Sequence, residues 1–137
     1  MRPINLVALI DDDEIVKFIE SKVIESTNVV NRIKTFSNGE EAINFLKSNS
    51  KNLDSLPEIV LLDLNMPVMD GFEFLKKYIM LKPKLGKKIT IYVVSSYISP
   101  TDTERINRIS EVTDYIVKPI TKEKFEKATA IIQLHDC

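Results

Sequence analysis

Four short apolar runs in this chain end in residues that could share one chemical task. Glu58-Ile59-Val60-Leu61-Leu62 runs into Asp63, and Leu6-Val7-Ala8-Leu9-Ile10 runs into Asp11-Asp12-Asp13. Tyr92-Val93-Val94 is followed by Ser95-Ser96, and Tyr115-Ile116-Val117 by Lys118-Pro119. If these runs are neighbouring strands, acids, a hydroxyl and an ammonium meet at one edge of one sheet, where open α/β sheets bind ligands. Carboxylates packed side by side repel unless a cation joins them, and hard oxygen ligands from two strand ends suit Mg²⁺ or Mn²⁺. A carboxylate beside such a cation is a candidate nucleophile for phosphoryl transfer, forming an aspartyl phosphate. The transferred group carries spreading negative charge, which Lys118 would meet as a point charge and Ser95 as a hydrogen-bond donor. Each residue alone has a plainer explanation. Acids favour the first turn of a helix, which accounts for one or two of Asp11-Asp12-Asp13-Glu14, while Lys118 could be an exposed lysine and Ser95 a turn residue. Their joint occurrence at strand ends favours the chemical reading.

The elements that must hold these residues are legible as alternating patterns. Strand-like runs fall near Asn5–Ile10, Asn31–Phe36, Glu58–Leu62, Lys88–Val94 and Asp114–Val117, and helical patterns separate them. That alternation predicts an α/β fold, a doubly wound five-stranded parallel sheet covered on both faces. Helical spacing groups Ile15, Ile19 and Val23; Ala42 and Leu46; Phe72, Leu75 and Ile79; and Ile106 and Ile109. Each set is read as core. Ser99-Pro100 predicts an N-cap with proline at the first helical position, and Thr121 opens a last helix bearing Phe125, Ala128 and Ile132. The polar connections Ser48 to Pro57 and Lys82 to Lys87 are read as solvated loops.

Composition narrows the function. At 137 residues, with 44% hydrophobic and 28% charged residues, the chain is expected to be one domain spanning 1–137 with its own core. A net charge of -1 offers no basic stripe for nucleic acid. Only Gly39, Gly71 and Gly86 are present, so neither a Walker loop nor a G-x-G-x-x-G turn can be written. The single Cys137 and single His135 leave no disulfide framework and no Cys/His zinc cluster, which points to the reducing cytoplasm. No apolar run has the length of a membrane span.

The segments Leu9-Ile10-Asp11-Asp12-Asp13, Leu61-Leu62-Asp63-Leu64-Asn65-Met66-Pro67 with Asp70-Gly71, Val93-Val94-Ser95-Ser96 and Tyr115-Ile116-Val117-Lys118-Pro119 closely resemble the receiver domain of two-component response regulators. The resemblance covers essentially the whole chain, in order, and implies the flavodoxin-like receiver fold with strand order 2-1-3-4-5. Carried onto this sequence, it implies that Asp63 is the phosphoacceptor and that Asp12 and Asp63 are carboxylate ligands of Mg²⁺ (or Mn²⁺). Asp11 would act on the metal through water, and Asn65 through its backbone carbonyl. Ser95 matches the switch hydroxyl, Lys118 the phosphate-binding lysine and Tyr115 the aromatic switch that turns inward on activation; the bond before Pro119 is cis in the family. Tyr97 falls at a family-variable position near the attacking water. Implied partners are a sensor histidine kinase or histidine phosphotransfer protein, and a downstream protein or second copy meeting the fourth helix, fifth strand and fifth helix, with neither nucleic acid nor membrane involved.

The resemblance describes a signalling phosphoacceptor that catalyses only its own phosphorylation and dephosphorylation. With few residues after the last helix, it is expected to stand alone. A phosphate sink or phosphorelay intermediate is the alternative. A haloacid-dehalogenase-like phosphohydrolase would want a second Asp two residues past the nucleophile, where this chain has Asn65.

Overall fold

A parallel sheet needs a helical layer on each face, and the chain alternates strands and helices to provide both. A computed structural model describes residues 3–66 and 69–135, excluding the side chains of residues 131–135. Pro67, Val68 and Cys137, and the side chains of Ile132 and His135, therefore lie outside the described residues. The elements run β1 (Ile4–Ile10), α1 (Glu14–Ser26), β2 (Val30–Phe36), α2 (Gly39–Ser48), β3 (Ile59–Asp63) and α3 (Gly71–Leu81). A short 3-10 turn at Lys82–Lys84 follows, then β4 (Thr90–Ser95), α4 (Pro100–Asn107), β5 (Val112–Val117) and α5 (Lys122–His135). All strand pairs are parallel, as the alternation predicts, in the order β2-β1-β3-β4-β5 that the resemblance implies.

Strand identity follows from burial. In β3 every residue is buried, and β1 is buried throughout except at Asn5, because both are central strands covered on two faces. Edge strand β2 exposes Asn31, Arg32, Lys34 and Thr35. The side chains above and below the sheet form two cores. One gathers Ala8, Ile10, Val60 and Leu62 against α2, α3 and Ile106 of α4; the other gathers Val7, Leu9, Leu61 and Val94 against Ile24 of α1 and Phe125 of α5. The Tyr92 hydroxyl donates to the Ala128 carbonyl at 2.7 Å, tying β4 to α5.

Helix starts follow the sequence rules. The Ser99 hydroxyl accepts from Asp102 N at 3.0 Å, with Pro100 opening α4, and the Thr121 hydroxyl accepts from Lys124 N at 3.1 Å. Ala42, Leu46, Ile106, Phe125 and Ala128 are buried as expected.

Two helices are rotated from the expected apolar stripes. On α1, Ile15, Phe18 and Ile19 are 71%, 64% and 55% exposed, while Lys17, Glu20 and Ile24 are buried. The reason is polar. Asp13 caps the helix, and the Lys17 ammonium donates to exposed Glu14 Oε1 at 2.7 Å and, across to the residue that follows β2, to Ser37 Oγ at 2.9 Å, so the buried lysine stem ends on polar partners. On α3 the buried stripe is Phe74, Leu75, Tyr78 and Leu81, leaving Ile79 exposed and Phe72 only partly buried. Gly71 fixes that rotation: a Cβ there would lie 2.9 Å from the Asp63 carbonyl oxygen and from Leu64 Cα. The helix start therefore sits directly on the backbone that carries Asp63.

The two polar connections also depart from simple solvated loops. Lys87 donates to the carbonyls of Leu53 at 2.9 Å and Leu56 at 3.1 Å, and Gly86 N donates to the Ser50 carbonyl at 3.1 Å, so the loops pin each other. Among the described residues no helix is long and apolar enough to cross a membrane.

Candidate functional site

Strand register brings the four polar strand ends together. Ile10 pairs with Leu62, Asp63 with Val94 and Ser95 with Val117, so the residues just past these positions share one edge of the sheet. A cavity of about 590 Å³ opens there over Asp11, Asp12, Asp63, Asn65, Ser95 and Lys118. Tyr97 lies at its rim, with an exposed ring.

Carboxylate oxygens of Asp11, Asp12 and Asp63 come within 4.8 Å of one another. Asp11 is buried: its Oδ1 accepts from Asp13 N at 2.9 Å and its Oδ2 from the Lys118 ammonium at 2.7 Å. Asp63 is 6% exposed; its Oδ1 accepts a long hydrogen bond from Asn65 N at 3.4 Å and lies 3.7 Å from Lys118 Nζ. Asp12 is exposed to the cavity. Asp13, the third acid of the run, is spent on capping α1 by accepting from Ile15 N and Val16 N, so one acid does take the plainer role.

The charges leave their mark on proton affinity. Burial, then the neighbouring Asp11 charge, pushes the Asp63 carboxyl up to about 6, against the pull of Lys118 and the Asn65 N–H. Burial alone would lower the Lys118 ammonium, but the Asp11 hydrogen bond and the charges of Asp63, Asp11 and Glu20 outweigh it and raise it. Three carboxylates facing one ammonium leave excess negative charge, which a hard divalent cation with oxygen ligands would balance. The donor set suits Mg²⁺: carboxylate oxygens from two strand ends, with open volume for waters.

Ser95 and Tyr115 sit beside this centre. The buried Ser95 hydroxyl donates to the Tyr97 carbonyl at 2.9 Å rather than facing Asp63. Tyr115 of β5 is 40% exposed and pairs with Val93 of β4, two residues before Ser95, so Ser95 and Tyr115 share one face of the sheet on neighbouring strands. The Lys118–Pro119 peptide is cis, and Lys118 N donates to the Ser95 carbonyl at 2.9 Å. Sequence reasoning did not pick out Glu20, buried on α1 and held up to about 7 by burial, with the Lys118 charge opposing and those of Asp11 and Asp63 adding. No local pattern marks it, because a glutamate between apolar helical positions reads as solvent-facing. Asp102 also reaches the cavity rim, a by-product of its capping role at the start of α4.

A family model for the response regulator receiver domain matches residues 7–130. The probable methanogenesis regulatory protein FilR2 of Methanothrix harundinacea is 27% identical over 128 residues, covering 93% of this chain and 81% of that protein. The probable C4-dicarboxylate response regulator DctR of Bacillus subtilis is 32% identical over 124 residues, and there the chain spans 49% of the relative's length. A two-component response regulator from Cytophaga hutchinsonii superposes with a TM-score of 0.87 at 29% identity, covering 96% of this chain and 98% of that one. With this fold, this strand-end acid cluster and a match over nearly its whole length, the chain belongs to the response regulator receiver domain family.

Proposed function

We propose that Asp63 accepts a phosphoryl group from the phosphohistidine of a histidine kinase or phosphotransfer protein. The observation that carries this reading is a buried carboxylate at the end of a central strand, beside two further acids and 3.7 Å from a lysine ammonium, under an open cavity. In the transfer, an Asp63 oxygen forms the new P–O bond as the donor's P–N bond breaks, its electron pair returning to the imidazole nitrogen. Asp12 and Asp63 with their carboxylates, Asn65 with its carbonyl and Asp11 through water would hold Mg²⁺, which neutralises phosphoryl charge when bound. Lys118 moves its charge to the phosphoryl oxygens, and Ser95 exchanges the Tyr97 carbonyl for one of them.

For its phosphohistidine to reach Asp63, the donor protein must cover the cavity's rim. Helix α1, which reaches that cavity with Val16, also carries exposed Ile15, Phe18 and Ile19, apolar residues the fold itself does not bury. The response runs through Ser95 and Tyr115. As Ser95 turns to the phosphoryl group it frees space toward β5, and the half-exposed Tyr115 turns in, changing the face of α4, β5 and α5 that a target protein or second copy meets. The proposed setting is the cytoplasm.

The test is incubation with acetyl phosphate, with and without Mg²⁺, followed by intact-mass measurement. One phosphoryl group added only with the cation is the expected result. Addition that is indifferent to Mg²⁺, or none at all, would overturn the reading.

A further inference from the structure

We propose that Glu20 is a positioning residue: it receives the Lys118 ammonium when a divalent cation is held at the Asp11, Asp12 and Asp63 cluster, so that the lysine moves between two carboxyl seats. The inference rests on the cavity being a cation and phosphoryl site, and adds to it a second place for the lysine.

Occupancy of the Asp11 oxygens is the starting point. Oδ1 already accepts from Asp13 N and Oδ2 from Lys118 Nζ at 2.7 Å. A divalent cation held by Asp12 and Asp63, with Asp11 through water, would place a second positive charge beside the ammonium, which lies 3.7 Å from Asp63 Oδ1, and the two repel. Lys118 must then withdraw, and its flexible stem lets the charge pivot without moving β5.

The geometry offers a destination. Lys118 lines not only the acid cavity but also an adjoining groove of about 330 Å³ between α1 and the β5–α5 connection, walled by Val16, Ile19, Pro119 and Ile120. Glu20 lines the groove and not the acid cavity. It is 6% exposed, and its Oε2 is the buried side-chain atom without a hydrogen-bond partner among the described residues. A buried carboxylate oxygen without a donor is costly to keep, which makes it a ready acceptor for an arriving ammonium. Asp12, the remaining acid of the cluster, is exposed and belongs to the cation's own ligand set.

The test is Mg²⁺ titration of the full chain, followed by amide NMR shifts, in the wild type, Glu20→Gln, Lys118→Met and the double variant. Without its second seat, Lys118 competes harder for Asp11, so Glu20→Gln should weaken Mg²⁺ binding on the order of fivefold, the low end of typical coupling between linked sites. In the Lys118→Met background the same substitution should cost nothing further. Equal affinity in wild type and Glu20→Gln would overturn the proposal. So would an equal loss with Lys118 absent, which would reduce Glu20 to a through-space charge, and so would a wild type that binds no Mg²⁺. If the glutamine variant fails to fold, Glu20→Met supplies the same comparison with an apolar side chain of similar length. A wild type that binds Mg²⁺ but accepts no phosphoryl group would sink the proposed function while leaving this titration to judge Glu20.

Discussion

Helices α1 and α3 cover opposite faces of the same sheet and obey opposite rules. Helix α3 buries Phe74, Leu75 and Tyr78 and serves as cover for the core. Helix α1 buries Lys17 and Glu20, and leaves Ile15, Phe18 and Ile19 in solvent. The difference teaches what each helix is for. One is held by apolar area; the other is anchored at Ile24 and turned by polar contacts so that its charges face the strand ends and its apolar side chains face outward.

The sharpest way to break that comparison is truncation on both helices. Phe74→Ala should cost about 3–5 kcal/mol, the usual loss for a fully buried aromatic ring. Phe18→Ala should stay within about 0.5 kcal/mol, as exposed substitutions do. Urea denaturation of the two variants measures both, and similar costs would mean that α1 is packed like α3 after all.

A second test weighs the charge stored at the strand ends. Unfolded, Asp63 releases its proton near 3.8; folded, it does so at about 6. Between those values the folded state holds a proton the unfolded chain has lost, so stability should fall as pH rises from about 4 to about 6 and stay lower above that. Asp63→Asn removes the penalty. Without divalent cations, the variant should be more stable than wild type by roughly 1–3 kcal/mol near neutral pH and converge with it in acid, where Asp63 is protonated in both states. A wild type equally stable across that range would contradict the buried-charge account.

A smaller, kinetic effect concerns the outward apolar residues of α1. Phe18→Asp should slow transfer from a phosphohistidine protein roughly tenfold, corresponding to about 1.4 kcal/mol of lost transition-state contact, while leaving acetyl phosphate as good a donor as before. Equal slowing with both donors would assign Phe18 to the fold. The smallest change is expected at the rim: Tyr97→Ala, opening the line of water attack, should shorten the acyl phosphate lifetime by a few-fold at most, about 1 kcal/mol. A lifetime unchanged or longer would remove Tyr97 from that role.

Why some of this was legible in the sequence and some was not has physical reasons. Buried parallel strands are near-continuous apolar runs, so Leu6–Ile10 and Ile59–Leu62 announce themselves, and a polar residue that ends such a run marks the sheet edge. That is why Asp11, Asp63, Ser95 and Lys118 could be grouped before any fold was known. Helix rotation is less legible. It depends on contacts with elements distant in sequence, and Lys17 finds Ser37 only once β2 and α2 are in place. Glu20 is the extreme case: nothing near it in sequence signals the Lys118 charge that faces it across the groove. Lys87 is similar, its carbonyl partners lying in a loop far along the chain.

The central claim is that one residue, Asp63, carries the phosphoryl group, and borohydride trapping addresses it most directly. Reduction of an aspartyl phosphate yields homoserine, which peptide mass spectrometry locates to a single position. After acetyl phosphate and Mg²⁺, homoserine is expected at residue 63. Homoserine at residue 11 or 12 instead, or undiminished trapping in Asp63→Asn, would contradict the account.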